Sequence, residues 1–321
     1  METVSCNLCG SSVLNYCYSM PDRYYFPDEM FDVVECSSCG LAFVSPRPSE
    51  SEIQKYYPKE FYNVFITQEH RYEAEVAFLK KMYAEDCWGK GRMLDVGTAN
   101  GDFPLRLRKE GWEVEGVEVS PNNNQHDDIL IYNCPLPNIP ISEHYYDLVT
   151  AWAVFEHLHD PMSYFKKVGE ILKPGGLFVF LVTNWNSVAS RYLMQEDIPR
   201  HLYFYSENTV SKYLDVCGLN LIHHETNGNI FNETALNYVP WLVRRALGLG
   251  YRWEDIPETR GNFMNRLNFR KNVLTNALFA LRHPLVVADR LLEPFITKAH
   301  VLNKKYGISI YLACKGRYSC G

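Results

Sequence analysis

The chain lacks any apolar run approaching the roughly 20 residues needed to span a bilayer, and its first residues, METVSCNLCG, carry neither a basic stretch nor an apolar leader core. The expectation is therefore a cytoplasmic protein. A positive balance is lacking too: 32 Lys and Arg stand against 38 Asp and Glu, a net charge of −6. A protein whose main partner is nucleic acid needs a basic face to neutralise phosphates, so nucleic acid is disfavoured as partner. Internal repeats and low-complexity tracts are missing as well. What remains, 321 residues at 46% hydrophobic and 22% charged, is an ordinary globular composition with room for one sizeable core and a small module.

Cysteine is not scarce. Four of the ten form two C-x-x-C-G knuckles, Cys6-Asn-Leu-Cys9-Gly and Cys36-Ser-Ser-Cys39-Gly. Each tight turn aims two thiolates at one point, and the following glycine tolerates the backbone the turn requires. Two such knuckles make a tetrahedral four-sulfur site for one structural zinc ion, with a small hairpin in the 26 residues between them. Reduced core cysteines or a redox pair are the alternative reading. The other cysteines lack partner spacing and read as buried or incidental thiols.

Beyond residues 1–48, the ribbon, Pro46 and Pro48 mark a connector that runs with N-terminal helices over 49–90. Residues 91–228 then alternate strands with helices. RMLDVG, WEVEGVEVS, DDILIYN, YYDLVTAWA and GLFVFLVT are strands, DFPLRLRKEG is a helix, and SYFKKVGEILKPGG is an amphipathic helix ending at Gly175 and Gly176. LNLIHHET is a sixth strand; the seventh, GISIYLACKG, lies in the closing segment 306–321. The expected fold is α/β, a doubly wound, mostly parallel seven-stranded sheet of Rossmann-like type. A helical insertion, 229–305, precedes the last strand. It carries 12 Lys and Arg against 6 Asp and Glu, leaving 20 against 32 in the rest of the chain.

In such a sheet the ligand sits beyond the carboxyl ends of the strands, where strand order reverses. MLDVGTANGDF ends the first strand of the sheet, and Glu118 ends the second, 21 residues after Gly97. A carboxylate there accepts hydrogen bonds from ribose hydroxyls. The loop has Gly97 and Gly101 but Ala99 where nucleotide loops often carry a third glycine. A pyrophosphate needs very close backbone approach, whereas a cofactor ending in an amino acid needs less clearance, so the loop favours S-adenosylmethionine over a dinucleotide.

MLDVGTANGDF, GVEVSP, YYDLVTAWAVFEHLHDP, ILKPGG and PRHLYFYSENTVSKYLDVCG, in that order, resemble the motifs of class I S-adenosylmethionine-dependent methyltransferases over about residues 71–226. With the ribbon in front, including CSSCGLAFVSPRPS, the chain is similar to zinc-ribbon methyltransferases of surface-glycan and deoxysugar modification. The resemblance implies methyl transfer to a sugar or glycan intermediate. It places Asp95, Gly97, Thr98, Ala99 and Gly101 against the cofactor's methionine part, Glu118 on the ribose, Asn133 near the adenine, and Ala151 and Trp152 at the cofactor and substrate border. Core packing is as good a reading for Trp152.

Methyl transfer asks the protein for alignment, water exclusion and, where the nucleophile carries a proton, a base. His201 and His157 are the candidates for catalysis, with His201 favoured as base or substrate ligand and His157 as a local cap; Glu156 is a further proton-transfer candidate. Arg200, Arg244 and Arg245 are candidates for an anionic substrate group, alongside Arg270 and Lys271. The stripes Trp241, Leu242, Leu247 and Leu274, Leu278, Leu281 suit core or homodimer packing; the sharper reading is a lid, or a face for peripheral membrane association at the inner leaflet, receiving a phosphate-bearing acceptor. Two other functions stay open: an RNA methyltransferase whose ribbon reads RNA, disfavoured because Cys6–Cys39 has one Arg and no Lys, and a catalytically silent scaffold that keeps the fold.

Overall fold

The computed structural model describes residues 1–62, 69–83, 85–120, 126, 129–141, 143–194, 196–226, 230, 237–250 and 284–317. The N-terminal module is a hairpin of β1 (Leu14–Asp22) and β2 (Phe26–Cys36), extended by β3 (Ala42–Val44). Its two knuckles fold alike. Gly10 N–H donates to the Cys6 carbonyl at 2.8 Å and Gly40 N–H to the Cys36 carbonyl at 2.9 Å. Both glycines are left-handed, φ +74° and +81°, which is the backbone a side chain would resist.

After α1 (Glu69–Met82) come β4 (Arg92–Val96), α2 (Asp102–Lys109), β5 (Glu113–Val117), β6 (Leu130–Tyr132), β7 (Tyr146–Trp152), α3 (Pro161–Ile171) and β8 (Leu172–Thr183). A two-residue strand, β9 (Tyr203–Phe204), precedes α4 (Glu207–Val216) and β10 (Leu219–Thr226); α5 (Tyr238–Ala246), α6 (Pro284–Leu302) and β11 (Ile308–Lys315) complete the described chain. The expected seven-stranded sheet is present, in the order β10-β11-β8-β7-β4-β5-β6. The pairs from β8 through β6 are parallel, and β11 runs antiparallel to both β8 and β10. Strand order reverses at β4, which pairs with β5 on one side and β7 on the other.

The apolar strands face two cores by simple alternation. Val149, Ala151, Phe178, Phe180 and Val182 pack on one side, with Phe165 of α3 and Tyr213 of α4; Leu148, Trp152, Leu177, Val179 and Leu181 pack on the other, with Phe78 of α1 and Phe103 and Leu107 of α2. Helices on both faces explain why these strands read as continuous apolar runs.

α3 ends at Ile171, four residues before the expected glycine stop. The chain is already strand at Leu172, which pairs with Tyr146, while Leu177 pairs with Leu148; the Lys-Pro-Gly-Gly segment between is an irregularity in that ladder. A Cβ on Gly176 would meet the Lys173 and Tyr146 carbonyl oxygens at 2.9 and 3.1 Å, and Gly175 has φ +81°. The glycines therefore serve a strand irregularity rather than a helix cap.

Of the insertion, α5 and α6 are described. The Asp289 carboxylate of α6 accepts from Asn237 and Val239 N–H at the start of α5, at 2.5 and 2.8 Å. Trp241 is buried and stacks on Tyr192, whereas Leu242 and Leu247 face outward at 42% and 68% exposure, so that stripe is split. Arg270, Lys271, Leu274, Leu278 and Leu281 lie outside the described residues. Among the described residues no helix is long and apolar enough to cross a membrane.

The ribbon is not a separate bead. β9, which follows the sheet strand β8, joins the ribbon sheet as its fourth strand, pairing Phe204 with Ala42 and Tyr203 with Phe43. Beneath it, Arg200 is fully buried and donates to Asp22 at the end of β1 at 2.8 and 3.0 Å, to Asp197, and to the Tyr56 carbonyl at 2.8 Å. Asp22 is equally buried. Removing one partner of a buried ion pair strands the other charge, at a cost of about 3–5 kcal/mol. Arg200→Met should lower the unfolding free energy by about that amount in urea titrations, and a loss below about 1 kcal/mol, the scale of an exposed pair, would show that the bridge does not hold the two sheets together.

Candidate functional site

The loop after β4 sits at the switch point, where ligands of this architecture bind. It is pinned to β5 by Gly97 and Thr98 N–H donating to the Val117 carbonyl at 2.8 and 3.1 Å. Gly97 has φ +73°, and a Cβ there would lie 2.5 Å from Val154 Cγ2. Gly101, φ +86°, starts α2. Ala99 takes φ +50° without the freedom of glycine, a left-handed conformation that costs a residue with a Cβ roughly 1–2 kcal/mol.

Glu118 closes this loop. Its Oε2 accepts from Ala99 N–H at 3.0 Å and its Oε1 from Ser120 N–H at 2.9 Å. One donor per oxygen leaves lone pairs for two ribose hydroxyls. Asn133 stands beside it, its Nδ2 donating to the Glu118 carbonyl at 3.4 Å. These residues fit an adenosine-type cofactor.

Other loop-side residues named from the sequence are enclosed. Asp95 is buried, accepting from Thr150 Oγ1 at 2.6 Å, and burial pushes its carboxyl up to about 7. It supports the loop from beneath. Thr98 is buried as well, its Cγ2 against Gly116 of β5, leaving its backbone for a ligand. Ala151 is fully buried in the sheet, and Trp152 packs edge-on against Phe78 and Phe103 at 6.5 and 5.7 Å. Trp152 is core, because α1 and α2 both close over that end of β7.

Two loops bring the histidines together. The short helical turn Phe155–His157 follows β7, and the segment carrying His201 follows β8; Leu202 N–H donates to the Glu156 carbonyl at 2.7 Å and joins them. The His157 and His201 rings lie edge to face, centroids 4.8 Å apart. His157 Nδ1 lies 3.0 Å from the Arg200 carbonyl and 3.1 Å from the Tyr57 hydroxyl. Burial, then the neighbouring His201, pushes it down to about 3. His201 Nδ1 pairs with Glu196 at 2.9 Å. Burial favours its neutral form, but the hydrogen bond and charge of Glu196, with Glu156 and Asp197, raise it to about 9. Glu156 is 1% exposed, burial raises it to about 7, and its Oε2 has no hydrogen-bond partner among the described residues. His157 is thus part of the cluster rather than a mere cap. Proton handling belongs to the group, not to His201 alone.

Arg200 is not available to a substrate, since its guanidinium is consumed by Asp22, Asp197 and the Tyr56 carbonyl. Arg244 donates to the Gly250 carbonyl at 3.0 Å, and the exposed Arg245 lies over the Trp241 and Tyr192 rings at 5.3 and 6.0 Å. Glu196 and Tyr57 were not legible as site residues. A signal existed for Glu196, an acid five positions before His201 in QEDIPRH; for Tyr57 in KYYPKEF there was none.

The four knuckle cysteines form a second cluster. Their sulfurs lie within 4.8 Å of one another, Cys6 to Cys39 at 3.4 Å and Cys9 to Cys36 at 3.5 Å, and none is in a disulfide. Tetrahedral coordination with Zn–S near 2.3 Å requires sulfurs about 3.8 Å apart, so the donor set fits zinc.

The strain at Ala99 is testable. Ala99→Gly should raise stability by about 1 kcal/mol, since glycine occupies the left-handed region without penalty, offset in part by its greater freedom when unfolded. The measurement is the urea midpoint at unchanged slope, and a destabilised variant would mean that the Cβ makes contacts outweighing the strain.

Residues 67–224 match a family model described as a methyltransferase domain. The ubiquinone biosynthesis O-methyltransferase of Cereibacter sphaeroides is 26% identical over 185 residues, covering 48% of this chain and 74% of that protein. The enzyme of the same name from Bradyrhizobium diazoefficiens is 29% identical over 155 residues, 43% of this chain and 61% of its own length. A solved S-adenosylmethionine-dependent methyltransferase of Thermotoga maritima aligns at a TM-score of 0.47 and 13% identity, covering 82% of this chain and 97% of that one. The family match spans the glycine loop, Glu118 and both histidines, and the protein is an S-adenosylmethionine-dependent methyltransferase.

Proposed function

We propose that the protein transfers the methyl group of S-adenosylmethionine to a hydroxyl of a sugar or glycan intermediate. The observation that carries the chemistry is the cluster of Glu156, His157 and His201, the first two on the segment after β7 whose Val154 abuts Gly97: a hydroxyl nucleophile must lose a proton, and these side chains are grouped to take it. The relatives' name, O-methyltransferase, supports oxygen as the acceptor atom. The acceptor class rests on the likeness of the ribbon and sheet together to glycan-modifying enzymes and on the basic insertion, where Arg245 remains exposed for a phosphate-bearing acceptor.

S-adenosylmethionine supplies an activated methyl group on a positively charged sulfur. Glu118 would hold the ribose, the Gly97–Gly101 backbone the methionine end, and Asn133 the adenine side. With the cofactor and acceptor bound, the histidine and glutamate cluster would orient the acceptor hydroxyl and take up the proton it gives up on methylation. Cys6, Cys9, Cys36 and Cys39 would hold zinc with no coordination position left open, which makes its role structural.

Glu118→Ala should weaken cofactor binding at least about tenfold by calorimetry, the loss of one or two charge-assisted hydrogen bonds. His201→Asn should leave that affinity intact and slow transfer by about 100-fold or more. With labelled cofactor, nucleotide sugars, lipid-linked sugars and phenols are compared: label in a sugar fraction supports the proposal, and label in phenols alone overturns the acceptor class. Chelation of the ribbon metal should lower thermal stability and transfer together, because β3 braces the segment that carries His201; full transfer by the zinc-free protein would remove the ribbon from the site's architecture.

A further inference from the structure

Glu156, His157 and His201 have a feature that proton transfer does not explain. Each offers one ligand atom, and these atoms lie within 4.8 Å of one another. Both imidazoles are oriented through Nδ1, His157 by the Arg200 carbonyl at 3.0 Å and His201 by the Glu196 carboxylate at 2.9 Å. That leaves the Nε2 atoms for a ligand. A backbone carbonyl on one ring and a carboxylate on the other are the outer partners that fix the tautomer of metal-binding histidines. Into the same space comes Glu156, 1% exposed, with Oε2 unpartnered among the described residues. A buried carboxylate oxygen without a partner is costly, and a cation removes that cost.

We propose that Glu156, His157 and His201 bind a first-row divalent cation such as Mn²⁺, Fe²⁺ or Co²⁺, leaving open positions at which the acceptor hydroxyl binds. Two histidines and one carboxylate with open positions is a donor set these ions take, distinct in hardness from the four thiolates of the ribbon. Two carboxyl groups, Glu156 and the Glu196 behind His201, stand at the cluster to balance a doubly positive ion. The frame is rigid where it must be. Leu202 N–H to the Glu156 carbonyl ties the two ligand segments, His201 N–H donates to the Asp197 carbonyl at 2.8 Å, and Arg200, between the two, is locked to Asp22. The cation's role is to bind and acidify the acceptor hydroxyl, so this inference rests on the reading of the cluster as the acceptor site.

The test uses the full-length protein, stripped of metal and titrated with Co²⁺. Expected are two equivalents per chain, one with the intense charge-transfer absorption of thiolate ligation and one with the weaker spectrum of oxygen and nitrogen donors. Glu156→Gln and His201→Asn should each lose the second equivalent and keep the first, with cofactor affinity unchanged as evidence of folding. A wild-type chain that binds one equivalent, or variants that retain both, would overturn the proposal. Methyl transfer by a chain holding only the thiolate-bound ion would sink the cation site and leave the enzymatic reading intact; a second ion bound with no transfer to any acceptor would leave the site standing and sink the reading of acceptor chemistry.

Discussion

The arrangement depends on one buried guanidinium. Arg200 reaches from the segment after β8 into the ribbon, where Asp22 is as inaccessible as it is. Two ions removed from water are costly unless geometry and further hydrogen bonds compensate, and here Asp197 and the Tyr56 carbonyl complete the fork. The consequence is directional. Arg200 fixes three segments at once: the end of β1, the turn at Tyr56, and the backbone whose carbonyl faces His157. A residue that reads in the sequence as a solvated anion-binding arginine is a structural rivet whose own carbonyl serves the site.

The sheet was legible because its physics is local. Continuous apolar runs along β7 and β8, glycine at Gly97 and Gly101, and a carboxylate just after β5 are statements about neighbours a few residues apart. They predicted a mostly parallel sheet with its switch point at the end of β4; the meeting of Ala99 with Glu118 came only with the structure. The failures are long-range or competitive. Gly175 and Gly176 look like a helix stop, yet backbone packing against Tyr146 recruits them into β8. Trp152 at a strand end reads equally as ligand border or core, and only the cover from Phe78 and Phe103, on two helices, favours core.

The site was half legible for the same reason. His157 and His201 stand out as residue types, and each follows a strand end, so both could be placed near the cleft. Their contact, 4.8 Å between ring centroids, depends on how two loops cross, which no spacing encodes. Nor does spacing reveal that Glu156 would be sealed from water: in FEHLHDP it reads as a proton-transfer candidate, and its 1% exposure follows from long-range packing, with Leu202 N–H bonded to its backbone carbonyl. Glu196 was hidden by its own ordinariness, one acid among the 38 Asp and Glu of the chain.

The N-terminal module and the large sheet meet at β9. Two residues long, it could not persist as an isolated strand, and its partner β3 is barely longer. It persists because Phe204 and Tyr203 are buried between ribbon and sheet and because Arg200, three residues upstream of Tyr203, is tied to Asp22. His201 and Leu202 lie between those two anchors, so His201 is held from both sides by the N-terminal module. The knuckles flank the hairpin of β1 and β2, and through β3, β9 and Arg200 the N-terminal module forms a wall against which the His201 segment is packed.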